Sequence, residues 1–236
     1  MEAKVKKQID ADDILKILDA CYQKAVNGID FVSPPIDVFA DNYLEKASSP
    51  SEAAKKMIDN QVLKCTTSGV ITGFGGIITL PVAVPANVTS VLYIQVRMIA
   101  CVAYLAGYDP YSDQVQTLVY ACLAGVAVGG VLKKTGTKIG EKVAINLIKK
   151  IPGTTLTKIN QRVGFRLVTK FGEKGMVNLG KLVPGVGALL GGGLDFLETR
   201  VIANRAYHWF FEGDFSVQEK HKKEKIVEVV DFQEEG

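Results

Sequence analysis

The alternation of apolar and polar positions divides the chain into helices interrupted by glycine and proline. From Asp10 to about Asn27 (DADDILKILDACYQKAVN) Ile14, Leu15, Leu18, Cys21 and Tyr22 recur at helical spacing, with aspartate at the start to cap the orphan N–H groups. Gly28 ends this helix, and FVSPP forms an extended connector because a residue before proline avoids the α region. Residues 36–47 form a short second helix. SSPSEAAKKM opens a third, with Ser49 as cap, Pro50 at the first helical position and Glu52 three residues after the cap.

That helix runs into the stretch around which the chain is organised. From Cys65 to Val96 there are 32 residues with no charged side chain, and Arg97 follows directly. Gly69, Gly73, Gly75, Gly76, Pro81 and Pro85 prevent a single regular helix. The pattern predicts a helix ending in a glycine-rich bend, then another from Pro85 through Arg97 to about Ala106. Such a helix is either enclosed by protein or facing lipid, and both readings stand at this point.

In GYDPYSD, Asp109 is expected to cap, Pro110 to open the next helix and Asp113 to lie in its first turn. Gln114 to Leu132 is a second uncharged run of 19 residues, with Ala121, Gly125 and Gly129 four apart as in closely packed helices. A basic amphipathic helix (KIGEKVAINLIKKI) follows and is stopped by Pro152 and Gly153. From Thr154 to Phe171 two ladders run in parallel. Ile159, Val163, Leu167 and Phe171 are apolar, while Lys158, Arg162, Arg166 and Lys170 are cationic. A glycine-dense run, Leu182 to Leu194, leads into a last helix ending at Trp209, Phe210 and Phe211, and KIVEVVDF in the tail reads as a short strand or as nothing regular.

Shifting the chain by 103 residues lays RMIACVAY (97–104) on RVIANRAY (200–207) and Pro81 on Pro184. This predicts two related units, with Arg97 and Arg200 equivalent. Those arginines and Asp195 stand in apolar surroundings, where an unpaired ion costs several kcal/mol. The expectation is a buried ion pair or an interface between units, such as an acid paired with an arginine. The fold class is therefore all-α: a single domain over residues 1–212, of about eight or nine helices with Gly/Pro-bent apolar hairpins and an internal two-fold repeat, followed by a polar tail, 213–236.

Composition changes this picture in one respect. The net charge of +3 conceals eleven Lys/Arg against two acids between Lys133 and Lys174, leaving the rest of the chain at −6. Cations spaced i,i+4 repel by a few tenths of a kcal/mol per pair, so an anionic partner is expected to offset them. The candidate anion-binding residues are Lys149, Lys150, Lys158, Arg162, Arg166 and Lys170, and the alternative is a solvated helix face. Hydrophobic content of 47% and a mean hydropathy of +0.16 sit at the upper edge for soluble proteins. The charged first sixty residues are not expected to hold a secretory leader, and Cys21, Cys65, Cys101 and Cys122 show no C-x-x-C spacing, so they are expected to be reduced, packed thiols in an intracellular protein.

Known chemistry finds little support. GVAVGGVLKKT places Val131 where a phosphate loop needs lysine, GVGALLG misses the dinucleotide spacing by one residue, and two histidines make no metal cluster or triad. No cofactor is expected. The basic block lacks the interleaved aromatics of a nucleic-acid surface, so no nucleic acid is expected either.

The segments LTKINQRVGFRLVTKFGEKGMVNLGKLVPGVGALLGGGLD (156–195), GVITGFGGIITLPVAVP (69–85) and AYLAGYDP (103–110) resemble the EcsC family over roughly residues 10–212. The resemblance implies a helical fold and a setting near membranes; the family takes its name from a protein encoded beside an ABC transporter and linked to regulating or supporting it. It supplies no catalytic residue and no cofactor. The function expected is that of a non-enzymatic, membrane-associated accessory or regulatory protein. It would lie at the cytoplasmic face, with a basic helical face meeting anionic lipid or a membrane protein. The alternative is a soluble helical module that binds an apolar ligand, such as a lipid or fatty acid, between its two halves.

Overall fold

The computed structural model describes residues 10–66, 86–130, 145–171 and 187–215, with side chains at all of these except 66, 86–89, 146, 147, 170, 171 and 187–196. Most of the long uncharged stretch, the basic segment 131–144, residues 172–186 and the tail from 216 onward lie outside the described residues. So do the side chains of Lys170, Phe171 and Asp195. Among the described residues the protein is all-helical, with α1 (Ala11–Asn27), α2 (Ile36–Leu44), α3 (Pro50–Thr66), α4 (Ala86–Leu105), α5 (Asp113–Ala124), α6 (Gly153–Phe171) and α7 (Gly187–Phe211), and a single helical turn at Ile145–Ile148. These are seven helices and one turn, where the sequence pattern predicts eight or nine helices over the whole chain. No described helix is long and apolar enough to cross a membrane.

The caps explain several boundaries. The Asp10 carboxylate accepts from Asp13 N–H at 2.8 Å, and Ser49 Oγ accepts from Glu52 N–H at 3.2 Å. Glu52 reaches back one residue further than a standard box, taking the N–H and hydroxyl of Ser48. Lys56 and these Ser48 bonds pull its carboxyl down to about 2.

Two predicted boundaries are corrected. α5 begins at Asp113 with Ser112 as its cap, not at Pro110. Asp109 instead closes a turn by accepting from Tyr111 N–H at 2.9 Å, and the Pro110 carbonyl accepts from the buried Tyr22 hydroxyl at 2.6 Å. α5 ends within the second uncharged run, at Gly125, whose φ of +66° places it in the left-handed region. A Cβ there would lie 3.4 Å from the Arg205 guanidinium. At the other end of the chain the helix is longer than expected. α7 extends back through Gly191–Gly193 to Gly187.

α4 is the centre of the assembly, packing on α1, α2, α3, α5 and α7. Contact on so many sides accounts for its lack of a polar face: Leu92 to Ala103 are buried without a break. α5 is similarly enclosed from Thr117 to Ala124. From Leu92 to Val96 and from Thr117 to Ala124, within the two uncharged runs, protein covers the helix. α4 and α7 lie side by side, with Gln95 donating to Thr199 at 3.0 Å and Tyr108 set edge-on to Phe210 at 5.3 Å. α3 packs against both α4 and α7, whereas α6, which begins 103 residues after α3, packs against α1 and α5. The core continues to Phe215, which contacts Trp209 and Phe210. None of the four cysteines is in a disulfide, and all are buried within this core.

Candidate functional site

α6 sorts its residues as the two ladders predict. Ile159, Val163 and Leu167 are buried at 1% exposure or less on the side facing α1 and α5. Lys158, Arg162 and Arg166, on the neighbouring ladder, are exposed. Eight residues of helix separate the first from the last, so the row spans about 12 Å. Among the described residues none of the three forms an ion pair.

The row does not lie on a flat surface. It forms one wall of an open groove of about 880 Å³, whose lining also includes Gln161, Phe165 and Thr169 of α6. Val126 and Ala127 complete it from the segment after α5, which Gly125 turns out of helical register. Phe165 is 71% exposed between Arg162 and Arg166, an apolar ring held at the surface among cations. The arrangement can hold phosphate or carboxylate groups along the row by charge and hydrogen bonding, with the phenyl ring taking an adjoining apolar group.

Of the five predicted basic residues whose side chains are described, the structure brings together three. Lys149 and Lys150 are exposed just before α6 but do not line the groove. Phe165, Gln161, Val126 and Ala127 were not foreseen. Phe165 had a signal, since it falls outside the 159–163–167 apolar ladder and so had to emerge among the cations. The two loop residues had none, because only long-range packing brings them to α6.

Of the residues expected to form a buried ion pair or an interface, Arg97 and Arg200 differ in their surroundings, and the side chain of Asp195 lies outside the described residues. Arg97 is buried, but its guanidinium donates to the carbonyls of Ala25 and Pro34 and lies 4.5 Å above the Phe39 ring. Arg200 is not buried; it pairs with Asp59 of α3 at the surface, with both side chains about half exposed. The buried arginine of the second half is Arg205, which donates to the Cys122 carbonyl at 2.6 Å. Its Nε has no partner among the described residues. α4 and α7 touch directly, and α3 packs on α7 as well. Tyr207 hydrogen-bonds Ser51 at 2.6 Å, with the Lys55 ammonium 5.3 Å above its ring. Among the described residues no three of His, Cys, Asp and Glu gather closely enough to hold a metal ion.

No curated protein and no solved structure matches the chain. A family profile, that of the EcsC protein family, matches residues 40–210, a span that takes in α3 to α6, all but the last residue of α7 and the whole of the basic groove. The chain belongs to the EcsC protein family.

Proposed function

We propose that this protein is a non-enzymatic accessory protein that docks peripherally on anionic lipid at the cytoplasmic face of a membrane, through the α6 groove. The observation that carries this reading is the Lys158–Arg162–Arg166 row. Three like charges are stacked at four-residue spacing, with no acid beside them among the described residues and an exposed phenyl ring between two of them. Lipid phosphates would relieve the repulsion, and Phe165 would enter the apolar edge of the headgroup layer. Lys170 continues the spacing, and Lys149 and Lys150 add charge near the start of the helix.

The internal repeat supports the same reading if α3 and α6 are taken as equivalents 103 residues apart. Lys158 and Arg162 then correspond to Lys55 and Asp59, which engage Tyr207 and Arg200 of α7. On α3 this face is covered by another helix of the chain; on α6 it lines an open groove.

Co-sedimentation with phosphatidylcholine vesicles, with and without phosphatidylglycerol, tests the proposal. Binding is expected only with the anionic lipid and is expected to weaken as salt rises. At about 1 kcal/mol per cation near the surface, replacing Lys158, Arg162 and Arg166 by glutamine lowers affinity about 100-fold. Equal binding to neutral vesicles, or a triple variant that binds like the parent, would overturn it.

A further inference from the structure

The connector between α1 and α2 presents a side chain that the fold itself does not use. Phe31 is fully exposed, and its φ of +60° makes it the one non-glycine residue in the left-handed region among the described residues. A bulky residue rarely adopts that conformation, and an exposed ring gains no packing in return. The loop is nonetheless held firmly from below. Ile29 and Ser33 exchange backbone hydrogen bonds at 2.8 and 2.9 Å, and Ser33 Oγ lies 2.6 Å from the Tyr93 hydroxyl. Buried Arg97 ties down the Pro34 carbonyl. At Gly28 a Cβ would come within 2.7 Å of the Ser33 carbonyl oxygen, so the entry to the loop admits only glycine.

The surroundings of the ring indicate what it would meet. Val32 and Val38 are also exposed, which adds apolar surface close to it in the chain. Every charged side chain from Gly28 to Glu45 is an acid: Asp30, Asp37, Asp41 and Glu45. Asp30, Asp41 and Glu45 are exposed. An anionic bilayer would be repelled by this segment, whereas a basic protein surface would be attracted. Beside the loop tip is a hollow of about 450 Å³ with Asn27, Ile29 and Pro35 in its lining, wide enough for a partner side chain.

We propose that the Phe31 loop is a preorganised docking knob for a protein partner that offers an apolar pocket with a cationic rim. A rigid aromatic anchor loses little entropy on binding, and burying one supplies a large share of an interface's affinity. The acids around it set orientation and favour a basic partner.

A benzophenone-bearing residue at position 31 of the full chain, photolysed in the cells that encode it, identifies what the loop touches. Binding of the purified partner is then measured. Phe31→Gly is expected to weaken it at least tenfold without lowering the melting temperature, since glycine accepts the backbone conformation. Asp30→Lys combined with Asp37→Lys is expected to weaken it similarly and to remove its salt dependence. Cross-linking only to lipid or to a second copy of the chain, or no adduct, would overturn the proposal. So would a partner whose affinity is unchanged by Phe31→Gly, a gain in affinity on charge reversal, or a fall in melting temperature for Phe31→Gly.

Discussion

Arg97 and Arg205 perform the same task at two places in the core. Each reaches from one helix to a carbonyl in the last turn of another: Arg97 of α4 to Ala25 in α1, and Arg205 of α7 to Cys122 in α5. The last carbonyls of a helix lack intrahelical donors and carry the negative end of its dipole, so a buried guanidinium there is both bonded and electrostatically favoured. Arg97→Met removes two charge-assisted hydrogen bonds and is expected to cost about 3 kcal/mol or more, seen as a lower urea midpoint at unchanged slope. Arg205→Met is expected to cost less, about 1–2 kcal/mol, because it breaks one such bond and also removes an Nε that was desolvated without compensation. Arg200→Met breaks only an exposed pair and is expected to stay below about 1 kcal/mol. A loss at Arg200 equal to that at Arg97 would contradict this ordering. Identity between RMIACVAY and RVIANRAY favoured Arg200 as the second buried cation, but the spacing of the last helix pointed to Arg205. It lies between Ile202 and Trp209, three residues after one and four before the other, on the ladder that faces the core.

At the scale of elements, the parts legible in the sequence are those written in local chemistry. Asp10 and Ser49 mark where α1 and α3 begin because each accepts from an N–H group three residues further on. The two ladders of α6 were legible because period and burial agree along one helix. The end of α5 was not, since Gly125 sits in a four-residue series of small residues that reads equally well as helix packing. What decides it is Arg205, eighty residues later in the chain. Replacing Gly125 by alanine puts a Cβ on a left-handed residue against that guanidinium, and a loss of about 1–2 kcal/mol is expected in chemical denaturation. A neutral result would mean that α5 can end elsewhere. The groove was half legible for the same reason. Its cationic wall is a single helix, but Val126 and Ala127 reach it only because α5 stops where it does.

At the scale of the whole molecule, the two surfaces are attached to one core and set apart by it. The buried face of α6 packs on the start of α1, where Gly164 approaches Ala11 closely, and the acidic Phe31 loop follows the end of α1. A helix of 17 residues is about 25 Å long, more than twice the screening length at physiological salt, so the cationic and acidic surfaces can engage different partners without cancelling. What joins them is the packing of α1, α4 and α5, and each of these carries a buried thiol: Cys21, Cys101 and Cys122. Burial pushes all three from an ordinary 9.0 up to about 12. The unfolded chain releases these protons near pH 9 while the folded chain retains them, so this contribution to stability is complete below pH 9 and is lost as pH rises toward 12. Burial of Tyr22, and of Tyr120 with its bond to Asp19, acts in the same direction. Urea titrations at rising pH are expected to show a midpoint that is steady around neutrality and falls above about pH 9. Cys122→Ala is expected to make that fall shallower. A midpoint unchanged across this range would mean that the thiols are open to water and that α4 is not enclosed on all sides.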